Sequence, residues 1–176
     1  MMNAPKLYQY FATTVNLLTS CNQEGKVNVM ACEWTMNVSF DPFKVLCVVG
    51  TDKLTHAYMM ENPEFGVNLC ADTQASLSNF VGNISGRDLD KLAESRFAGL
   101  VYASTHIKPP LIRGCILNAE CVLEDIFPMG EYSGFLGLAR AVTVDSEAKP
   151  LFYHRGKYFQ LGAQIPKPQY ENKLTE

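Results

Sequence analysis

The feature that most constrains this chain is a succession of short apolar, β-rich runs, each closed off by a turn signal. Lys44–Val49 (KVLCVV) shows the pattern most sharply. Asp41-Pro42 breaks the chain before it and Gly50 ends it, and the near absence of polar positions predicts a strand buried throughout. Thr14–Ser20 and Val27–Met36 flank the turn Cys21-Asn-Gln-Glu-Gly25 and predict a hairpin. Along its second strand, Val29, Ala31 and Glu33 share one face, and Asn28, Met30, Cys32 and Trp34 share the other. Trp34, the sole tryptophan, is expected at a strand end. Phe65–Ala71, Cys115–Ile126, Gly134–Val144 and Leu151–Leu161 read as further strands, with turns at Pro128-Met-Gly130 and Ser146-Glu-Ala-Lys-Pro150.

Helical periods interrupt this pattern in the middle of the chain. Leu54, Ala57, Tyr58 and Glu61 predict a short helix, with Thr51, Asp52 and Thr55 as cap candidates and Pro63 beyond its end. Leu77, Phe80, Val81 and Ile84 follow the i, i+3, i+4, i+7 spacing of an amphipathic helix. A loop over Gly82–Gly86 then leads to a third short helix expected from Asp88, with Leu89, Leu92, Ala93 and Phe97. Strands bracketing a helical centre, without βαβ alternation, predict a mainly β fold with short helices: a small closed or nearly closed antiparallel barrel. One domain accounts for all 176 residues, with its core over about 10–162 and an arm or tail over 163–176.

With Lys+Arg at 15 against Asp+Glu at 18, and no basic run, nothing marks a nucleic-acid backbone or an anionic membrane surface as a partner. No apolar stretch approaches the roughly 20 residues of a bilayer-crossing helix. The start MMNAPKLYQYFATT lacks the basic-then-apolar order of a signal peptide, so a cytoplasmic location is expected. Cys21, Cys32, Cys47, Cys70, Cys115 and Cys121 form no C-x-x-C pair and no metal-ligand spacing; they read as reduced core hydrophobes. Cys115 and Cys121 are the pair to examine for any other role.

Three polar constellations stand out. Gly50-Thr51-Asp52-Lys53-Leu54-Thr55 joins a strand to a helix, where unpaired N–H groups, a cation and two hydroxyls suit a phosphate; an ordinary capped helix is the alternative. Ser85-Gly-Arg-Asp-Leu-Asp-Lys91 places polar groups around a glycine that allows close backbone approach, or is a simple capped loop. Cys32-Glu-Trp-Thr-Met-Asn-Val-Ser39 combines an aromatic face with backbone donors fit for a flat heterocycle, or holds a core tryptophan. His56, His106 and His154 are scattered, and no hydrolase or metalloprotease motif is present, so an enzyme built on this chain would take its chemistry from a cofactor.

Taken in order, Glu24-Gly-Lys-Val-Asn-Val-Met-Ala31, Trp34, Ser39-Phe-Asp-Pro42, Val45–Gly50 with Lys53 and Thr55, Asn62, Glu64-Phe-Gly-Val-Asn68 and Ser85-Gly-Arg-Asp-Leu-Asp-Lys91 closely resemble the flavin reductase-like, FMN-binding split-barrel family, its flavoredoxin-type members in particular. Leu117–Val122 and Pro150–Tyr158 fit the family's later strands. The resemblance implies a Greek-key-like split barrel that binds FMN at a homodimer interface. It implies a phosphate near Gly50, Thr51, Lys53 and Thr55, an isoalloxazine against Trp34, Thr35, Met36 and Asn37 with Ser39 nearby, and a loop of Ser85, Gly86 and Lys91 closing over the cofactor. It implies an oxidoreductase passing electrons from NADH, NADPH or a redox protein through FMN to an acceptor, with a monooxygenase or redox protein as partner. A non-catalytic FMN-binding electron carrier and a barrel with another ligand are the other readings. Relatives commonly carry Gly-Asp-His where this chain has Gly130-Glu-Tyr132, which leaves Tyr132 and His154 as the candidate catalytic residues.

Overall fold

The structure is a computed structural model that describes residues 6–168, so the part of the expected tail over 169–176 lies outside the described residues. The strands are β1 (Thr13–Thr14), β2 (Asn16–Cys21), β3 (Val27–Cys32), β4 (Thr35–Phe40), β5 (Phe43–Gly50), β6 (Glu64–Leu69), β7 (Val101–Tyr102), β8 (Leu111–Ile112), β9 (Leu117–Met129), β10 (Tyr132–Val144), β11 (Phe152–His154) and β12 (Lys157–Phe159). Two helices, α1 (Leu54–Glu61) and α2 (Ala75–Asn83), follow β5 and β6.

One seven-stranded antiparallel sheet, in the order β3-β2-β6-β9-β10-β5-β4, organises the rest. Its two edges, β3 and β4, are consecutive in the chain. Glu33 and Trp34 are therefore the whole connection between opposite edges, and the sheet must curl until those edges approach. It curls without closing, because β3 pairs only with β2 and β4 only with β5. The single strand expected over Val27–Met36 is thus two strands broken at Glu33-Trp34, and Trp34 sits at the bend rather than at a strand end. Its carbonyl already accepts from the Val48 N–H at 2.8 Å, on β5 beside the far edge.

Side-chain alternation sorts the apolar residues into two cores. Leu18, Cys32, Val45, Cys47, Val49, Phe65, Val67 and Phe135 fill the barrel interior, while Leu17, Val29, Val81, Phe97, Ile112 and Leu151 pack on its outer side beneath α2. Strand β5 is not buried throughout as its composition suggested. Val45, Cys47 and Val49 are buried and Leu46 and Val48 only half-buried, because an antiparallel sheet buries one face completely. Gly137 is required at its position, since a Cβ there would overlap the Phe65 ring edge inside the barrel.

Four other expectations change. The third helix is instead two separate 3-10 turns, Lys91–Ala93 and Ser95–Phe97. Asp90, not Asp88, caps the first by accepting from the Leu92 N–H at 3.2 Å, and extended Glu94 prevents the two from merging. Leu151–Leu161 folds as the β11–β12 hairpin, because Arg155 and Gly156 both take positive φ, the requirement of a tight hairpin turn. β9 runs on through Pro128 to Met129, so the expected turn narrows to Gly130-Glu131. Gly82 lies within α2 rather than in a loop.

All six cysteines are free and buried, and Cys115 and Cys121 belong to different cores. Among the described residues no helix is long and apolar enough to cross a membrane.

The segment between β7 and β8 is held by a carboxylate. Buried Glu120 accepts from the Thr105 N–H, the Thr105 hydroxyl and the His106 N–H. Burial pushes its carboxyl up, but these donors outweigh burial and hold it below the ordinary carboxylate value. The folded value is depressed, so this stabilisation is complete above the unfolded value and is lost as pH falls through the folded one. Glu120→Gln is expected to cost about 1–3 kcal/mol at pH 7. The difference from the native chain should shrink toward pH 3, as followed by urea unfolding across pH.

Candidate functional site

The sequence of α1 leaves its N-terminus bare. Lys53 is the N-cap and makes no side-chain cap bond. Each expected cap residue is engaged elsewhere: the Thr51 hydroxyl donates to the Glu131 carbonyl at 3.2 Å, Asp52 pairs with Lys53 at 2.9 Å, and Thr55 accepts from Asn28 Nδ2 at 2.8 Å. The Lys53 ammonium holds the Asp52 carboxyl below its ordinary value. A helix start whose first N–H groups meet no side-chain acceptor is a favourable place for an anion.

Opposite this helix start lies the segment after α2, and the two enclose a cavity of about 360 Å³ with β3 as its floor. Lys53, Leu54 and Thr55 line one side, Ser85, Gly86, Arg87 and Lys91 the other, and Asn28, Met30 and Ala31 the floor. Among the described residues, Lys53, Arg87 and Lys91 line it against the single carboxylate of Asp52. Asn28 is 5% exposed and its Oδ1 has no partner, so one end of a buried amide is unsatisfied at the cavity wall. A Cβ on Gly86 would overlap that same Oδ1; glycine alone lets the chain pass this close. The Ser85 hydroxyl accepts from the Arg87 N–H at 3.2 Å and Arg87 Nη1 donates to the Asp52 carbonyl at 3.1 Å, which ties the two walls together.

Lys91 is the buried cation of the site, at 5% exposure. Its Nζ donates to the carbonyls of Val81 and Ile84 at 3.3 and 3.0 Å, at the C-terminal end of α2 where a cation is favoured. Desolvation pushes its pKa down to about 8.

Of the residues singled out from sequence, Lys53, Thr55, Ser85, Gly86 and Lys91 converge on this cavity, with Gly50 and Thr51 beside it. Trp34, Thr35, Met36, Asn37 and Ser39 do not line it. They run from the bend along the exposed edge strand β4, where Met36 is 57% exposed. Tyr132 joins this second group. Its ring lies 4.9 Å from that of Trp34 and over Gly50, whose added Cβ would stand 3.6 Å from Tyr132 Cε1. His154 lies elsewhere, on β11, with its Nδ1 3.3 Å from the Phe11 carbonyl. His56 lies 3.0 Å from Ser133 Oγ and its ring meets that of Phe135 in a T-shaped contact, and burial pushes its imidazole pKa down.

Asn28 and Arg87 were not singled out by sequence reasoning. Asn28 carried one usable signal, a polar residue in a strand next to apolar Val27 and Val29. Arg87 carried none beyond its place in the Ser85–Lys91 segment.

Residues 8–162 match the family described as flavin reductase like domain. An NADH-dependent FMN reductase of Streptomyces nodosus subsp. asukaensis is 34% identical over 128 residues, 72% of this chain and 66% of that protein. The reductase component of a flavin-dependent trigonelline monooxygenase from Acinetobacter baylyi is 26% identical over 85% of this chain. The match spans 45% of that protein, so this chain corresponds to less than half of it. Among solved structures, an FMN-binding protein from Thermus thermophilus superposes with a TM-score of 0.83 at 20% identity, covering 96% of this chain and 97% of that one.

The close passage at Gly86 is testable by itself. Gly86→Ala is expected to displace Asn28 and lower stability by about 1–3 kcal/mol, read from the urea midpoint at unchanged slope.

Proposed function

The chain belongs to the flavin reductase like domain family, and on that footing we propose that it is an FMN-dependent oxidoreductase taking electrons from NADH or NADPH and passing them to an acceptor. One observation carries the reading: the cavity joins an uncapped helix start, three cations against one carboxylate and an unsatisfied buried amide, and these fit a phosphate with a hydroxylated chain behind it. FMN, when bound, supplies the redox chemistry, accepting a hydride equivalent and releasing electrons. The protein's own residues bind and orient. Lys53, Arg87 and the α1 N-terminus hold the phosphate, the Thr55 hydroxyl and Asn28 Oδ1 meet polar groups next to it, and Gly86 keeps the wall close. Lys91, fixed by two carbonyls, adds a charge beneath the site that cannot swing away.

Trp34, Thr35, Met36, Asn37 and Ser39 are proposed to meet the flavin ring across a homodimer. What supports this is the exposed apolar side chains on β4 and on the neighbouring end of β9: Met36, Val38 and Phe40 on β4, and Phe127 and Met129 on β9. Phe40 is 87% exposed, and an apolar face of this kind is normally covered by another protein surface. A monooxygenase is the proposed acceptor of reduced flavin, as the name of the Acinetobacter relative suggests for that protein. A cytoplasmic setting suits six buried, unpaired thiols. One domain is proposed to account for residues 1–176, with its core over about 10–162.

A second reading, an FMN electron carrier without turnover of its own, is favoured by one contact. Tyr132 occupies the place of the histidine common in relatives and lies against Trp34. Tyr132 is the proposed group near the donor; His154, which lines neither the first cavity nor the Trp34–Tyr132 contact, is not.

Anaerobic titration of the FMN-loaded protein with NADH and with NADPH tests the main reading. Bleaching of the flavin absorbance by either donor is expected, and bleaching by neither would leave the carrier. Lys53→Ala with Arg87→Ala is expected to weaken FMN binding by about 2 kcal/mol, roughly thirtyfold, as fluorescence quenching would show. Lys91 loses its proton as pH rises through about 8, so FMN affinity should fall between pH 7 and 9. Lys91→Met should flatten that profile. A solution mass of one chain in the FMN-loaded protein would contradict the interfacial site.

A further inference from the structure

A second cavity, of about 180 Å³, adjoins the first and shares Ala31, Gly82 and Asn83 with it. Its distinctive walls come from three parts of the fold: Glu33 at the bend between the sheet edges, Ser78 and Asn79 on α2, and Tyr153 and Tyr158 on the β11–β12 hairpin. The tyrosine rings meet edge-on with centroids 5.2 Å apart, and Tyr158 is fixed by a 3.1 Å hydrogen bond between its hydroxyl and Ser78 Oγ. Among the described residues Glu33 is the only charged side chain in the lining. It takes part in neither ion pair found among the described residues, Lys44–Glu124 and Lys53–Asp52.

The two cavities therefore stand side by side with opposite charge. The first has three cations for one carboxylate; the second has a half-buried carboxylate and no cation. A partly desolvated carboxylate without a counter-charge is costly, and burial pushes the Glu33 carboxyl above its ordinary value. Burial pushes both tyrosine phenols up as well, with the Glu33 charge a lesser contributor to each. An anion would be repelled, and an uncharged apolar group would leave the carboxylate unpaired. A carboxylate beside aromatic rings is the chemistry that recognises a compact organic cation. The volume admits a head group and excludes a dinucleotide.

We propose that this cavity binds a small alkylammonium head group, with Glu33 supplying the opposite charge and Tyr153 and Tyr158 the aromatic walls. The site would place a cationic second ligand next to whatever anion occupies the first cavity, separated by the backbone at Ala31 and Gly82. It does not depend on the flavin assignment.

Tetramethylammonium chloride titrated into the full-length protein, with sodium chloride keeping ionic strength constant, tests it through amide chemical shifts. Saturable shifts are expected at Glu33, Ser78, Tyr153 and Tyr158, with none from sodium alone. Glu33→Gln and Tyr153→Ala should each weaken binding at least fivefold, and either variant suffices if the other fails to fold. The titration is repeated with FMN present, where the shifts should persist. Absence of saturation, equal affinity in Glu33→Gln, or displacement by FMN would overturn the proposal, the last by giving the cavity to the flavin. Failure of the protein to bind FMN at all would sink the flavin reading and leave this titration unaffected.

Discussion

The connection of two residues between β3 and β4 governs this molecule. Because those strands are neighbours in sequence and opposite edges of one sheet, Glu33 and Trp34 force a seven-stranded sheet to bend back on itself. The edges come near each other without pairing. An unpaired edge is normally a liability, and here the β3 edge is covered by α1, α2 and the segment after α2. Both polar cavities lie along that covered edge, and each includes residues of β3 or of the bend. The gap in the barrel and the location of the sites thus have a common cause.

Charge is then distributed along that edge with little of it in total. The chain carries a net −3, yet the first cavity gathers three of its cations around a helix start that has no cap. Placement matters more than the sum, because a backbone end and a fixed ammonium act at short range where solvent screens least. Lys91 illustrates the cost. Holding it among carbonyls under the cavity depresses its pKa to about 8, so its charge is retained at neutral pH with a narrow margin. Glu33, at the bend, has the converse problem of a partly buried anion in neither ion pair of the described residues, and the two opposite fields lie side by side along β3.

Much of this was readable from residues. The β-rich runs, the helix over Leu54–Glu61 and the amphipathic period around Leu77–Val81 correspond to observed elements, because apolar periodicity records which face is buried. Lys53, Thr55, Ser85 and Lys91 were legible as polar groups beside turns and helix starts, and Gly86 as a point of close backbone approach. Asn28 was harder, since its importance comes from an unpartnered Oδ1 and a glycine pressed against it from 58 residues away. The break at Glu33-Trp34 was hidden by a run that keeps strand-like composition across it. No local signal shows that Cys32 and Thr35 belong to opposite edges of the sheet. The Asp88 helix failed for a related reason: Leu92 and Phe97 are drawn into the outer core from separate 3-10 turns, and spacing alone cannot distinguish that from one helix.

Local chemistry therefore settled the alphabet of this protein: strand or helix, which face is apolar, where a glycine must allow close approach, and where an anion would be welcome. It did so because hydrophobic period, turn preference and helix-end polarity act over a few neighbouring residues. Strand order, the open seam of the barrel and the meeting of Lys53 with Arg87 and Asn28 belong to the folded whole. They depend on contacts between residues tens of positions apart, whose pairing is chosen by burial of the entire sheet rather than by any segment of it.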